Sequence, residues 1–260
     1  MELYDPQAAS WTQLTGMVGQ RYAHGCVALD GKLYAVGGLG ADEDLDTAEV
    51  YDPQTDGWQP LAKMSTVRSS LGLAAVGGKF YAIGGYNGGS ALDSVEAYDP
   101  QLRAWALVAS MSVERQLHAS VVLEGKIYAM GGFDGGSVDT AEVYDPQADS
   151  WQRVASMPQG LSDHAATSMG GKIYVTGGET NQVGAVNSVP CVYDPQADAW
   201  TQLASMGMAR REHASAAVGG KLYVFCGRDG EGYSSTAEAY DPASNGWAQV
   251  TSLTLSLIHI

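Results

Sequence analysis

Four histidines, His24, His118, His164 and His213, recur at one slot, three residues after a slot held by Arg21, Arg68, Arg115, Leu161 and Arg210. A ring of imidazoles suggests a metal site. Metal ligands, however, must converge to about 2.0–2.1 Å from one ion, and side chains spread over successive repeats seldom do. Leu71 fills the same slot in the second repeat, so the slot accepts an apolar residue. No metal is expected. A second slot holds Glu2, Glu49, Glu96, Glu142 and Glu238, with Cys191 in their place once. Five copies argue for a structural carboxylate, because catalysis needs a singular arrangement. Cys191 has no base identifiable from the sequence to activate it. Gly pairs begin at 37, 84, 131 and 177, with Cys226-Gly227 as a variant. A phosphate-cradling loop would be followed by a helix whose amide groups hold the anion. Here a loop and a strand follow, so the glycines read as places of close backbone approach. No catalytic residue and no cofactor are expected.

These slots are positioned by a repeat. The Gly pairs step by 47, 47, 46 and 49 residues, a period that means a solenoid or a propeller. In one unit a strand runs over 21–29, Asp30-Gly31 turns tightly, and a second strand follows at 32–36. A longer loop, 37–46, leads to a third strand at 47–51. Asp52-Pro53-Gln54 turns again into a fourth strand carrying Trp58. Four short antiparallel strands per unit make a propeller blade. Six Tyr-Asp-Pro…Trp phrases occur, with Trp11, Trp58, Trp105, Trp151, Trp200 and Trp247 as blade-packing residues. The units are a partial blade at 1–17, then full repeats at about 18–64, 65–111, 112–157, 158–206 and 207–253. Residues 254–260 break the pattern and read as a tail that is not native.

The bulk composition narrows the class. The 33 glycines in 260 residues, without long helical patterns, argue for an all-β chain. A net charge of −15 argues against nucleic acid, whose phosphates need a surplus of Lys and Arg. No apolar run approaches about 18 residues, so no membrane span is expected. No secretory leader pattern is seen. Cys26, Cys191 and Cys226 sit at unrelated repeat positions and form no disulfide framework. A cytoplasmic location is expected.

The Gly pair after the second strand, the Tyr on the third and the Trp six residues after Asp-Pro together resemble the kelch repeat. The wording is similar to the kelch domains of Kelch-like adaptor proteins: Val95-Glu96-Ala97-Tyr98-Asp99-Pro100, Gly131-Gly132-Phe133-Asp134-Gly135 and Met111-Ser112-Val113-Glu114-Arg115. The likeness spans 2–253. It implies a kelch-type β-propeller: five complete four-stranded blades plus a half blade, a fragment of a six-bladed ring. It also implies a protein-interaction module, with substrate recognition for a cullin ubiquitin ligase as its setting. A kelch-type enzyme acting on sugars, an oxidase or a sialic acid isomerase, is the alternative, and an actin or scaffold binder is a third.

Alternating strand direction puts the loop after the Gly pair and the Arg slot at one edge, the top, and the Asp-Gly and Asp-Pro turns at the bottom. The lysines that open the second strands, Lys32, Lys79, Lys126, Lys172 and Lys221, fall at the bottom, and six of eight Arg fall at the top. The resemblance makes the first strand innermost, so the Arg slot should line an inner ring that grips a partner's carboxylates. The expected partner-binding residues are Arg21, Arg68, Arg115, Arg210 and Arg228, then Tyr86, Asn87, Phe133, Asp134 and Asp229, then Ser94 and Thr140. The expected partner is a protein or peptide, acidic in character. The fourth unit is irregular, with Leu161 in the Arg slot, Asp163 beside it and Glu179 after the Gly pair.

Overall fold

The computed structural model describes residues 1–5, 10–182 and 185–250, so the expected tail at 254–260 lies outside the described residues. The described chain is all β, with no helix, and none long and apolar enough to cross a membrane. Strands β1 (Glu2–Asp5) and β2 (Ser10–Gln13) pair as a two-stranded antiparallel sheet. Five four-stranded blades follow in a propeller ring, each an antiparallel meander. Blade one is β3 (Gly25–Leu29), β4 (Lys32–Val36), β5 (Ala48–Asp52) and β6 (Gly57–Pro60). Blade two is β7 (Gly72–Val76), β8 (Lys79–Ile83), β9 (Val95–Asp99) and β10 (Ala104–Val108). Blade three is β11 (Ala119–Leu123), β12 (Lys126–Met130), β13 (Ala141–Asp145) and β14 (Ser150–Val154). Blade four is β15 (Ala165–Met169), β16 (Lys172–Thr176), β17 (Cys191–Asp194) and β18 (Ala199–Gln202). Blade five is β19 (Ala214–Val218), β20 (Lys221–Phe225), β21 (Ala237–Asp241) and β22 (Gly246–Val250).

The cores lie between blades, which is why the second strands are apolar on both faces. In β12, Ile127 and Ala129 pack with Tyr81, Ile83 and Val95 of blade two. Tyr128 and Met130 pack the other way, with Ile173, Val175 and Tyr193 of blade four. At the outer edge each of Trp58, Trp105, Trp151, Trp200 and Trp247 lies against the Tyr of its own blade's third strand, with ring centroids 5.1–5.4 Å apart. These indoles are half-buried, and their Nε1–H groups donate across to the preceding stretch of chain, as Trp105 does to Ala62 O at 2.8 Å. The bottom lysines each pair with the Asp of an Asp-Pro or equivalent turn, for example Lys126 with Asp145 at 3.0 Å.

The first strands begin later than the sequence suggests. Strand β3 opens at Gly25, not Arg21, because Ala23 has a left-handed backbone, φ 50° or so in all its counterparts. Ala23, Ser70, Leu117, Asp163 and Glu212 share this kink. It aims their amides around the inner ring: Ser70 N–H donates to Ala23 O, Leu117 to Ser70 O, Asp163 to Leu117 O and Glu212 to Asp163 O, at 2.8–2.9 Å. Among the described residues this series does not return from Glu212 to Ala23. The Gly pairs serve the same packing. Gly38, Gly85, Gly132 and Gly178 donate N–H to the carbonyl of the next blade's Arg slot at 2.7–2.9 Å. A Cβ on the first glycine of each pair would overlap that carbonyl.

Candidate functional site

The Arg slot is a clamp inside each blade. Arg115 Nη1 donates to Gly131 O at 2.7 Å and Thr140 O at 3.0 Å; Nη2 donates to Thr140 Oγ1 at 3.1 Å and Glu142 Oε1 at 2.8 Å. The other oxygen of Glu142 accepts Ser112 N–H at 2.8 Å, from the segment leading out of blade two. Arg21, Arg68 and Arg210 repeat this with Glu49, Glu96 and Glu238. Arg68, Arg115 and Arg210 are fully buried and Arg21 is 9% exposed. This corrects the expected inner contact ring: these four guanidinium groups join strands and do not face a partner. Ser94 and Thr140 go with them, since their hydroxyls take hydrogen bonds from Arg68 and Arg115. The acidic character expected of the ligand rested on this ring and loses its basis.

Blade four shows how the clamp can be replaced. Leu161 and Cys191, both buried, stand where Arg and Glu would be, and burial pushes the Cys191 thiol up to about 12. Asn187 Nδ2 donates to Gly177 O at 3.3 Å and Val189 O at 3.0 Å, the two carbonyls that the Arg would have held. The imidazoles are also interior. His118, His164 and His213 sit over the first glycine of the preceding blade's pair, Gly84, Gly131 and Gly177. Burial lowers all of them, with His164 pushed down to about 4 and His213 to about 3, so they are neutral at pH 7.

The remaining expected residues follow the Gly pairs of blades two, three and five. Tyr86, Phe133 and Arg228 bridge to Ser69, Gln116 and Arg211. Tyr86 and Phe133 are half-buried and Asp134 is exposed. The side-chain oxygens of Asn87 and Asp229 instead cap their own loops: Asn87 accepts Gly89 and Ser90 N–H at 3.0 Å, and Asp229 accepts Glu231 and Gly232 N–H at 2.7 and 3.0 Å.

Inside the top edge a cavity of about 920 Å³ is lined by the inner turns of all five blades. Its wall changes character around the ring. The kink position is Ala23, Ser70 and Leu117 on blades one to three, then Asp163 and Glu212 on blades four and five. Glu212 pairs with Arg228 at 2.6 Å and Arg211 pairs with Glu179. Among the described residues, no hydrogen bond or ion pair reaches the Asp163 carboxylate. Burial first, and Glu212 second, push that carboxyl up to about 6, against the pull of Arg211 and Arg228. The irregularity of Asp163 and Glu179 is visible in the sequence, but their association with Glu212 and Arg211 is not. The available signal was the change from small or apolar to acidic at one repeat slot. Among the described residues no group of three or more metal-ligating side chains converges.

An acid whose folded pKa is raised destabilises the fold at pH values above it, and the penalty disappears as pH falls through about 6 toward its unfolded value near 4. Asp163→Asn is therefore expected to raise stability at pH 7 by about 1–3 kcal/mol. The gain should vanish by pH 4 in urea titrations at both pH values. A gain independent of pH would refute the ionisation argument. Asn also tolerates the left-handed backbone at this position.

This blade plan, with its Gly pairs and interblade cores, defines a kelch-repeat propeller. The KLHDC2/KLHL20/DRC7 Kelch-repeats domain matches residues 117–255, and the Kelch motif matches 20–65 and 68–112. The chain belongs to the kelch-repeat family. The solved structure titled "Structure of YjhT" superposes with a TM-score of 0.80 over 94% of this chain and 87% of that one, at 17% identity, a likeness of fold. No curated protein matches the chain.

Proposed function

We propose that this propeller is a protein-binding module that takes a short segment of a partner on its top edge. Kelch propellers are typically interaction modules. The observation that carries the reading is the set of aromatic side chains accessible on this edge: Tyr22 at 55% and Tyr233 at 65% line the cavity, and half-buried Tyr86 and Phe133 follow the Gly pairs of blades two and three. Large aromatics beside a concave mouth are the residue types that dominate binding energy at interfaces. The finer setting is substrate recognition for a cullin ubiquitin ligase in the cytoplasm, which the likeness to Kelch-like adaptors favours. The test is selection from a displayed library of short peptides, followed by affinity measurement on variants. Tyr86→Ala with Phe133→Ala should weaken the selected peptides at least tenfold, whereas Lys79→Ala and Lys126→Ala at the bottom should change little. Binding that follows the lysines and ignores the aromatics would sink the top-edge assignment.

A further inference from the structure

Resting on that reading, we propose that the segment taken by the mouth is basic, with a Lys or Arg side chain entering the cavity to pair with Asp163. Three observations converge. First, the cations around the cavity mouth are already committed, whereas the exposed Arg153 lies on the outermost strand of blade three and donates to Ser112 Oγ at 2.9 Å. Four Arg are buried in clamps, Arg211 and Arg228 pair with Glu179 and Glu212, and Lys63 pairs with Asp46 at 3.0 Å. What remains accessible there is acidic, including Asp42, Glu43, Asp134 and Glu231. Second, the cluster at the mouth holds three carboxylates, Asp163, Glu179 and Glu212, against two guanidinium groups, so it lacks one positive charge. Asp163 is the carboxylate left without a partner among the described residues, and it lines the cavity. Third, His118 lines the same cavity and is 8% exposed, with both ring nitrogens unpartnered among the described residues. Burial lowers it well below the usual imidazole range, so it adds no positive charge to the cavity at pH 7 that would repel a cation.

The opposite wall sets the rest of the ligand. Ala23, Leu71 and Leu117 line the cavity on blades one to three, and Tyr22 and Tyr233 flank it. A cationic side chain next to an apolar one would satisfy both walls at once. The stem of Lys or Arg is itself apolar and can lie along such a surface while its charged head reaches the carboxylate.

The pairing carries a pH signature. A cation binds the ionised carboxylate, so affinity should be constant above pH 7 and fall as pH drops through about 6, by up to tenfold per unit. The groups facing Asp163 are Glu212, Arg211 and Arg228. The imidazoles of the same cavity, His24, His118, His164 and His213, are all lowered by burial, with His164 at about 4 and His213 at about 3. Asp163 is the group pushed up to about 6, and Asp163→Asn isolates its share of the profile.

The experiment uses the peptides selected above, resynthesised with acetylated and amidated ends, and reads fluorescence anisotropy at about 0.15 M salt, where the Debye length is about 8 Å. Enrichment of Lys or Arg is expected. Asp163→Asn should weaken the peptides at least tenfold and flatten the profile between pH 5 and 8. Asp42→Asn, which removes the same charge from an outer loop, should stay within twofold. Peptides that depend on Tyr86 and Phe133 but are acidic or neutral, or that ignore Asp163→Asn, would overturn the basic-ligand proposal and leave the protein-binding reading standing. A selection with no enrichment, or binding that ignores every top-edge variant, overturns both.

Discussion

Arg115→Ala is expected to lower the unfolding free energy by ~3–5 kcal/mol, measured by urea denaturation at pH 7. The substitution removes four hydrogen bonds, but the larger cost is what stays behind. Glu142, with a side chain only 1% exposed, would lose its guanidinium partner, and Gly131 O and Thr140 O would lose a donor. A buried carboxylate without its partner costs more than the pair was worth, because its own desolvation is no longer offset. Blade four supplies the control. It lacks both charges, and its Leu161, Cys191 and Asn187 are all buried. Val138 is the counterpart of Asn187, since Val138 N–H bonds Gly132 O as Asn187 N–H bonds Gly178 O. The triple variant Arg115→Leu, Glu142→Cys, Val138→Asn should therefore cost much less than Arg115→Ala alone, within ~2 kcal/mol of the parent, since apolar replacements of a buried ion pair are often close to neutral. If the triple variant costs as much as the single, or Arg115→Ala shifts nothing, the clamp is not what holds the strands of blade three.

The same slot shows where sequence reading stops. The period, the four strands per unit and the tight turns at Asp30-Gly31 and its counterparts were legible, because they depend on local spacing and on glycine's tolerance of positive φ. The bottom placement of Lys79 and Lys126 was legible too, since each opens a strand next to a turn, and the structure pairs them with Asp99 and Asp145. Topology puts Arg115 at the top edge, but an edge position does not say whether the side chain turns outward or inward. That depends on the kink at Leu117, which bends the chain toward the ring before β11 begins. One sequence signal was present: Leu161 and Cys191 abandon the Arg and Glu slots together in a single repeat, as partners would. At the mouth, Asp163 and Glu212 occupy the slot of Ala23, Ser70 and Leu117, but their closeness comes from ring geometry, with 48 residues of chain between them.

Gly177→Ala is expected to cost ~2–5 kcal/mol, while Cys226→Gly, at the equivalent place in blade five, should change stability by no more than ~1 kcal/mol. Gly177 has φ +61°, where a Cβ alone costs ~1–2 kcal/mol. That Cβ would also overlap Arg210 O and lie 2.5 Å from His213 Cε1. Neither can retreat cheaply. Arg210 O accepts Gly178 N–H at 2.8 Å, and His213 Nε2 shares a hydrogen bond with Thr176 Oγ1 at 2.8 Å. Overpacking of this kind adds ~1–3 kcal/mol. Cys226 has nearly the same backbone, φ +56°, and keeps the same intrablade bonds: its N–H donates to Thr236 O and its carbonyl accepts Arg210 Nη1. What differs is the neighbour. Among the described residues no following blade's carbonyl bonds to Gly227 N–H, and Cys226 lines the cavity instead. Relief of the left-handed strain in Cys226→Gly is offset by the greater freedom of glycine in the unfolded chain, roughly 0.5–1 kcal/mol. Denaturation midpoints of the two variants against the parent decide the matter. A large loss in Cys226→Gly, or none in Gly177→Ala, would show that close approach of the next blade is not why four of the five repeats keep glycine there.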